Sequence, residues 1–95
     1  MRRLRVTVLF VQELIRLAGG HKAVYELPEG SRVADLLERL PEGVKKLVYD
    51  PARRELRWPS MVLVNGRRIE FLQGLDTPLR DGDVVLVSPR ALFVV

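Results

Sequence analysis

The sequence predicts an α+β fold in which a mixed sheet of four to five strands packs on one main helix. Three observations predict it. Leu4, Val6, Val8 and Phe10 alternate with Arg5, Thr7 and Leu9, the period of a strand with one buried face. Val33, Leu36, Leu37 and Leu40 recur at steps of three, one and three, which lines a single apolar stripe along a helix. Asn65-Gly66 separates two apolar segments, and this dipeptide is the strongest short hairpin signal because both residues accept positive φ. Ninety-five residues suit one domain over 1–95 that buries roughly two-thirds of its unfolded surface.

Each element follows from local chemistry. The first strand leads into a short helical segment over residues 12–18, ended by Gly19-Gly20, whose freedom suits a helix exit. Residues 22–27 read as a second strand. Pro28-Glu29-Gly30-Ser31 turns the chain into the main helix, with Ser31 or Arg32 at its cap, and Pro41 closes it. Val44, Leu47 and Val48 allow one more helical turn. Residues 50–60 hold two prolines and five charges and read as a surface excursion, with Trp58 as an aromatic anchored in the core. After the strand 61–64 and the Asn65-Gly66 turn, residues 67–71 are expected to return antiparallel. Leu75-Asp76-Thr77-Pro78-Leu79 makes a tight apolar turn, Asp81-Gly82-Asp83 reverses direction, and Val84, Val85, Leu86 and Val87 form a run apolar on both faces, as in a central strand. Two hairpins sharing one sheet bury the helix stripe when the first and last strands lie side by side at the centre, which is a β-grasp, the ubiquitin-like arrangement.

Composition narrows the functions. With no cysteine, thiol nucleophiles, zinc-thiolate clusters, redox pairs and disulfides are excluded. No apolar run approaches the ~20 residues that span a bilayer, and the N-terminal apolar stretch is too short for a secretion signal, so a soluble cytoplasmic protein is expected. The net charge is +4 with a pI near 10.1, and thirteen of sixteen basic residues are arginine. They are dispersed, most with an acid nearby, so nucleic acid is not expected as a partner. Arg53, Arg54 and Arg57 beside Trp58 form the densest basic group. His21 is alone, leaving no second histidine for a metal site. Asp81 and Asp83 are close enough to evoke magnesium, yet a D-G-D between strands ordinarily shapes its own turn. No phosphate loop or catalytic carboxylate pair is present, so no catalytic residue, metal or cofactor is assigned and an independent enzyme is not expected.

The ordered segments ELPEGSRVADLLERL and VLVNGRRIEFLQGLDTPLRDGDVVLVSP resemble the MoaD/ThiS family of ubiquitin-like sulfur carriers, which includes the small subunit of molybdopterin synthase. The resemblance runs from about Leu4 to Pro89 and rests on Asn65-Gly66, the turn from Gly74 to Leu79, and Asp81-Gly82-Asp83. It implies a β-grasp and a specific chemistry. In ordinary members a terminal Gly-Gly is adenylated by an activating enzyme using ATP and magnesium, then converted to a thiocarboxylate that delivers sulfur to a pterin or thiazole precursor. It also implies the partners: an adenylating enzyme of the ubiquitin-activating type or a molybdopterin synthase large subunit.

Here the pattern departs from the family. Matched on Pro89, Phe93 and Val94 stand where the glycines fall, and Ser88 replaces the aromatic that often precedes that proline. An aromatic and a β-branched residue are a poor fit to a narrow active-site channel. The expected role is therefore protein–protein binding by a variant of a sulfur carrier in molybdopterin or tungstopterin biosynthesis. The partner-binding residues expected are Phe71, Leu75, Arg90, Leu92, Phe93, Val94 and Val95, with self-association through the apolar segment 90–95 as a further use. Two other readings are a true carrier with an atypical end and an RNA-binding module of the TGS type, which has a similar β-grasp pattern.

Overall fold

A computed structural model describes residues 2–90. β1 (Arg3–Phe10) runs through the middle of a five-stranded sheet. α1 (Leu14–Ala18) follows and stops at Gly19, whose φ of 79° is the left-handed exit that a glycine adopts without strain. β2 (Lys22–Pro28) returns antiparallel to β1. α2 (Val33–Arg39) then begins where the backbone N–H of Arg32 donates to Asp35 Oδ2 at 2.8 Å, and Pro41 separates it from α3 (Glu42–Val48).

The segment expected as a plain excursion is partly ordered. β3 (Tyr49–Asp50) and β4 (Glu55–Leu56) pair as a small separate hairpin. Its aromatic placement corrects the sequence reading: Trp58 is 92% exposed, and Tyr49 is the ring sunk in the core. Tyr49 continues directly from α3, whose Val44 and Val48 already face inward, whereas Trp58 lies beyond the hairpin on its own turn.

β5 (Met61–Val64) pairs with β6 (Arg67–Arg68) across Asn65-Gly66, both at positive φ. The returning strand is shorter than expected. Residues Ile69–Phe71 form a single 3-10 turn closed by Leu72 N–H donating to Ile69 O at 2.9 Å, and Gly74–Asp76 form another. The apolar pair Ile69 and Phe71 mimics strand alternation, but Ile69 drops into the core and Phe71 leaves it. β7 (Val84–Ser88) completes the sheet, parallel to β1 and antiparallel to β5, giving the order β2-β1-β7-β5-β6. First and last strands are thus adjacent, as the burial requirement demanded.

The inner face of the sheet supplies Leu4, Val6, Val8, Phe10, Leu27, Val62, Val64, Val85 and Val87 to one core. Val33, Leu36 and Leu37 of α2, all without solvent contact, fill it from the other side. Among the described residues no helix is long and apolar enough to cross a membrane.

Candidate functional site

The face of the sheet opposite the helices is where these strands leave apolar groups in solvent. Inward and outward side chains alternate, so the register dictates the neighbours. Thr7 of β1 lies between Val24 of β2 and Val84 of β7. Leu9 sits beside Leu86, which sits beside Leu63, which faces Arg68 of β6. Val24 is 49% and Val84 38% exposed, and Leu9, Leu63 and Leu86 are half-buried. At the β6 edge Phe71 is 78% exposed, with the Arg68 guanidinium 5.9 Å from its ring centre, within cation–π range. Glu70 Oε1 lies 3.5 Å from Arg68 Nε on the other side. The result is a band of Val, Leu and Phe with a basic rim.

The second part of the site is the exit of the C-terminal segment. β7 ends beside β1, and the chain is caught there by residues nearly eighty positions away. Arg90 grips Glu13 through both prongs, Nη2 to Oε2 at 2.6 Å and Nη1 to Oε1 at 3.0 Å, and Nη1 also donates to Gln12 Oε1. The hydrogen bond from Arg90 is the main reason the Glu13 carboxyl titrates below the usual glutamate range. A bidentate guanidinium–carboxylate pair fixes direction as well as position, so Arg90 is tied to the residues just before α1.

Three of the residues expected to bind partners are among the described ones. Phe71 lies on the outer rim, Leu75 is half-buried against the core, and Arg90 is engaged with Gln12 and Glu13. Leu92, Phe93, Val94 and Val95 lie outside the described residues. Sequence reasoning missed Glu13 and Gln12, for which no local signal exists, and the outer row Val24, Val84, Leu86, Leu63. That row had a partial signal in Val84 to Val87, apolar on both faces. Asp81 and Asp83 hold the turn: Asp81 Oδ1 accepts from Arg5 N–H and Asp83 Oδ2 from Arg80 N–H, each at 2.8 Å. No cluster of metal-ligating side chains occurs among the described residues.

The ThiS family profile matches residues 8–89, most of the chain and all of the sheet but the first part of β1. The chain belongs to the ThiS family. This is the ubiquitin-fold family of small sulfur carriers, and the sheet order together with the solved structures of similar chains shows the β-grasp. It is 34% identical to molybdopterin converting factor, subunit 1, of Pyrococcus furiosus, with 93% of this chain and 99% of that one covered and a TM-score of 0.72. The fold is also that of small archaeal modifier protein 1 from Methanosarcina acetivorans, at 24% identity, 99% and 100% coverage and a TM-score of 0.80. The Haloferax volcanii modifier of the same name matches at 20% identity, 93% and 99% coverage and a TM-score of 0.79. No curated protein is significantly similar to the chain.

Proposed function

We propose that this ThiS-family protein acts by docking, through the outer face of its sheet, on an adenylating enzyme or a pterin-synthase large subunit, and that it does not carry sulfur at residues 93–95. The observation that carries the docking reading is the outer-face band of exposed Val24, Val84 and Phe71 with half-buried Leu86 and Leu63 between them. An apolar centre with an arginine–aromatic rim is the composition of a protein interface. Phe93 and Val94 support the loss of carrier chemistry, since a thiocarboxylate tail must thread a narrow channel and β-branched or aromatic groups block it. Similarity to a molybdopterin converting factor subunit favours the pterin branch of the family.

The test uses the host's adenylating enzyme and synthase large subunit. The wild-type chain is expected to bind one of them, and Phe71→Ala or Val84→Asp to weaken binding at least about tenfold, about 1.4 kcal/mol. Incubation with the adenylating enzyme, ATP, magnesium and a sulfur donor should leave the intact mass unchanged. A mass gain would establish the alternative, a true carrier with an atypical end. Absence of a complex with either protein removes the docking reading.

A further inference from the structure

β2 is an edge of the five-stranded sheet, and among the described residues no strand lies beyond it. The ladder to β1 shows which of its backbone groups face outward. Phe10 N–H donates to His21 O at 2.9 Å and Glu29 N–H donates to Arg2 O at 3.2 Å, so Ala23, Tyr25 and Leu27, in step with His21 and Glu29, turn their N–H and C=O toward β1. Lys22, Val24, Glu26 and Pro28 turn theirs away, and Pro28 has no N–H to give. The outward N–H and C=O groups of Lys22, Val24 and Glu26 form the kind of row onto which another strand adds. At the opposite edge, β6 is only Arg67 and Arg68.

The side chains along that row complement themselves. Lys22, Val24 and Glu26 share the outer face of the sheet, and exposed Val24 stands between two opposite charges. Neither charge is neutralised within the chain: among the described residues Lys22 and Glu26 make no ion pair, although Arg5 lies opposite Glu26 on β1. A row of one sign would set like charges opposite each other in a self-pairing, which is destabilising. Here the two signs flank Val24 symmetrically, and the proline stands only at the last position of the strand. On the inner face Ala23 and Tyr25, one small and one large, are both half-buried.

We propose that β2 pairs antiparallel with β2 of a second copy of this chain, about a two-fold axis through Val24. In that register Lys22 of each copy faces Glu26 of the other, Val24 meets its own counterpart, and every outward N–H of these three residues finds a carbonyl. Ala23 falls opposite Tyr25, small against large, in the pairs where side chains approach most closely. Neighbouring registers lose this fit. Centring on Ala23 sets Lys22 against Val24 and Glu26 against Gly20, whose N–H already donates to Ile15 O at 2.9 Å. Centring on Tyr25 sets Lys22 against Pro28, and centring on Lys22 or Glu26 sets like charges face to face. The contact uses the same surface on both copies, so it closes at a dimer. Phe71, just past β6, lies toward the other edge of the sheet, so this use of β2 is independent of the docking reading and leaves that end of the outer face open.

Sedimentation velocity of the full chain over a concentration series is expected to show monomer and dimer and nothing larger. Lys22→Glu and Glu26→Lys are each expected to weaken the dimer at least about tenfold, because the two-fold axis turns both cross-strand pairs repulsive at once. Mixing these two variants is expected to restore a dimer, since each supplies the charge that the other lacks. Val24→Pro removes an outward N–H and no bond to β1, a change that edge strands tolerate, and is expected to abolish the dimer while the chain still melts cooperatively. Amide exchange at Lys22, Val24 and Glu26 should slow as the dimer fills, with Ala23 and Tyr25 unchanged. A chain that stays monomeric at about 1 mM overturns the proposal. So does a dimer that survives Lys22→Glu and Val24→Pro, a pair of variants that fail to associate when mixed, or a dimer lost on removal of residues 92–95, which assigns the contact to the tail. Protection of the edge amides that appears only on adding the adenylating enzyme or the synthase large subunit also overturns it, since β2 then pairs with a partner's strand.

Discussion

Arg90 does what no other described arginine does: it closes a two-pronged pair with one carboxylate and reaches a neighbouring amide as well. Because that pairing favours the charged form of Glu13, its carboxyl titrates lower in the folded chain than in the unfolded one. A depressed value contributes stability that is present above the unfolded glutamate range and lost as pH falls through the folded one. The local order of the exit is therefore expected to persist at neutral pH and disappear on acidification through and below the usual glutamate range. Amide exchange at Arg90 measured against pH checks this, and Glu13→Gln should raise exchange at neutral pH and flatten the profile. Other polar residues serve the turns. Asn65 accepts from Val84 N–H and donates to Asp83 Oδ1, both at 2.9 Å, which ties the Asn65-Gly66 hairpin to the Asp81-Gly82-Asp83 reversal. The hairpin signal was legible in the dipeptide; the cross-link was not, since it joins residues eighteen and nineteen positions apart.

At the level of elements, α2 and α3 show how differently two adjacent helices use leucine. Leu36 has no solvent contact and packs under the sheet, whereas Leu47 is 44% exposed. Leu36→Ala is expected to cost roughly 3 kcal/mol from lost burial plus the cavity left behind, and Leu47→Ala within about 0.5 kcal/mol, as urea denaturation would measure. The stripe of α2 was readable because Val33, Leu36, Leu37 and Leu40 keep a helical period and every one is buried. Residues 67–71 were misread for the opposite reason: in a segment this short, Ile69 and Phe71 satisfy a two-residue period by chance, and the choice between strand and 3-10 turn depends on the core offering Ile69 a place. Trp58 was misjudged likewise, because a large aromatic is ordinarily buried and only the occupied core shows that Tyr49 already fills that role.

Across the whole molecule, one core carries an outer sheet band that runs over several strands. Val84 lies on β7 and Phe71 just past β6, with β5 between them, so a partner covering the band should register their loss independently. Free energies of partner binding lost in Phe71→Ala and Val84→Asp are expected to sum to that of the double variant within about 0.5 kcal/mol, measured by titration calorimetry. A larger discrepancy would mean that the two positions are not engaged together. This layout depends on β1 and β7 running parallel at the centre, which brings the end of β7 beside the start of α1 and the beginning of β5.

Periodicity, the Asn65-Gly66 turn and the D-G-D reversal were enough, on sequence alone, to specify the β-grasp and its main strands and helix, because each is a local property of residues within a few positions of one another. The absence of cysteine likewise removed whole classes of chemistry before any coordinates. Which face stayed bare, which aromatic sank and which stood out, and what caught Arg90 were decided only in three dimensions. Those outcomes arise from competition for one core and from pairs such as Arg90 with Glu13, whose members meet only after the strands between them have closed.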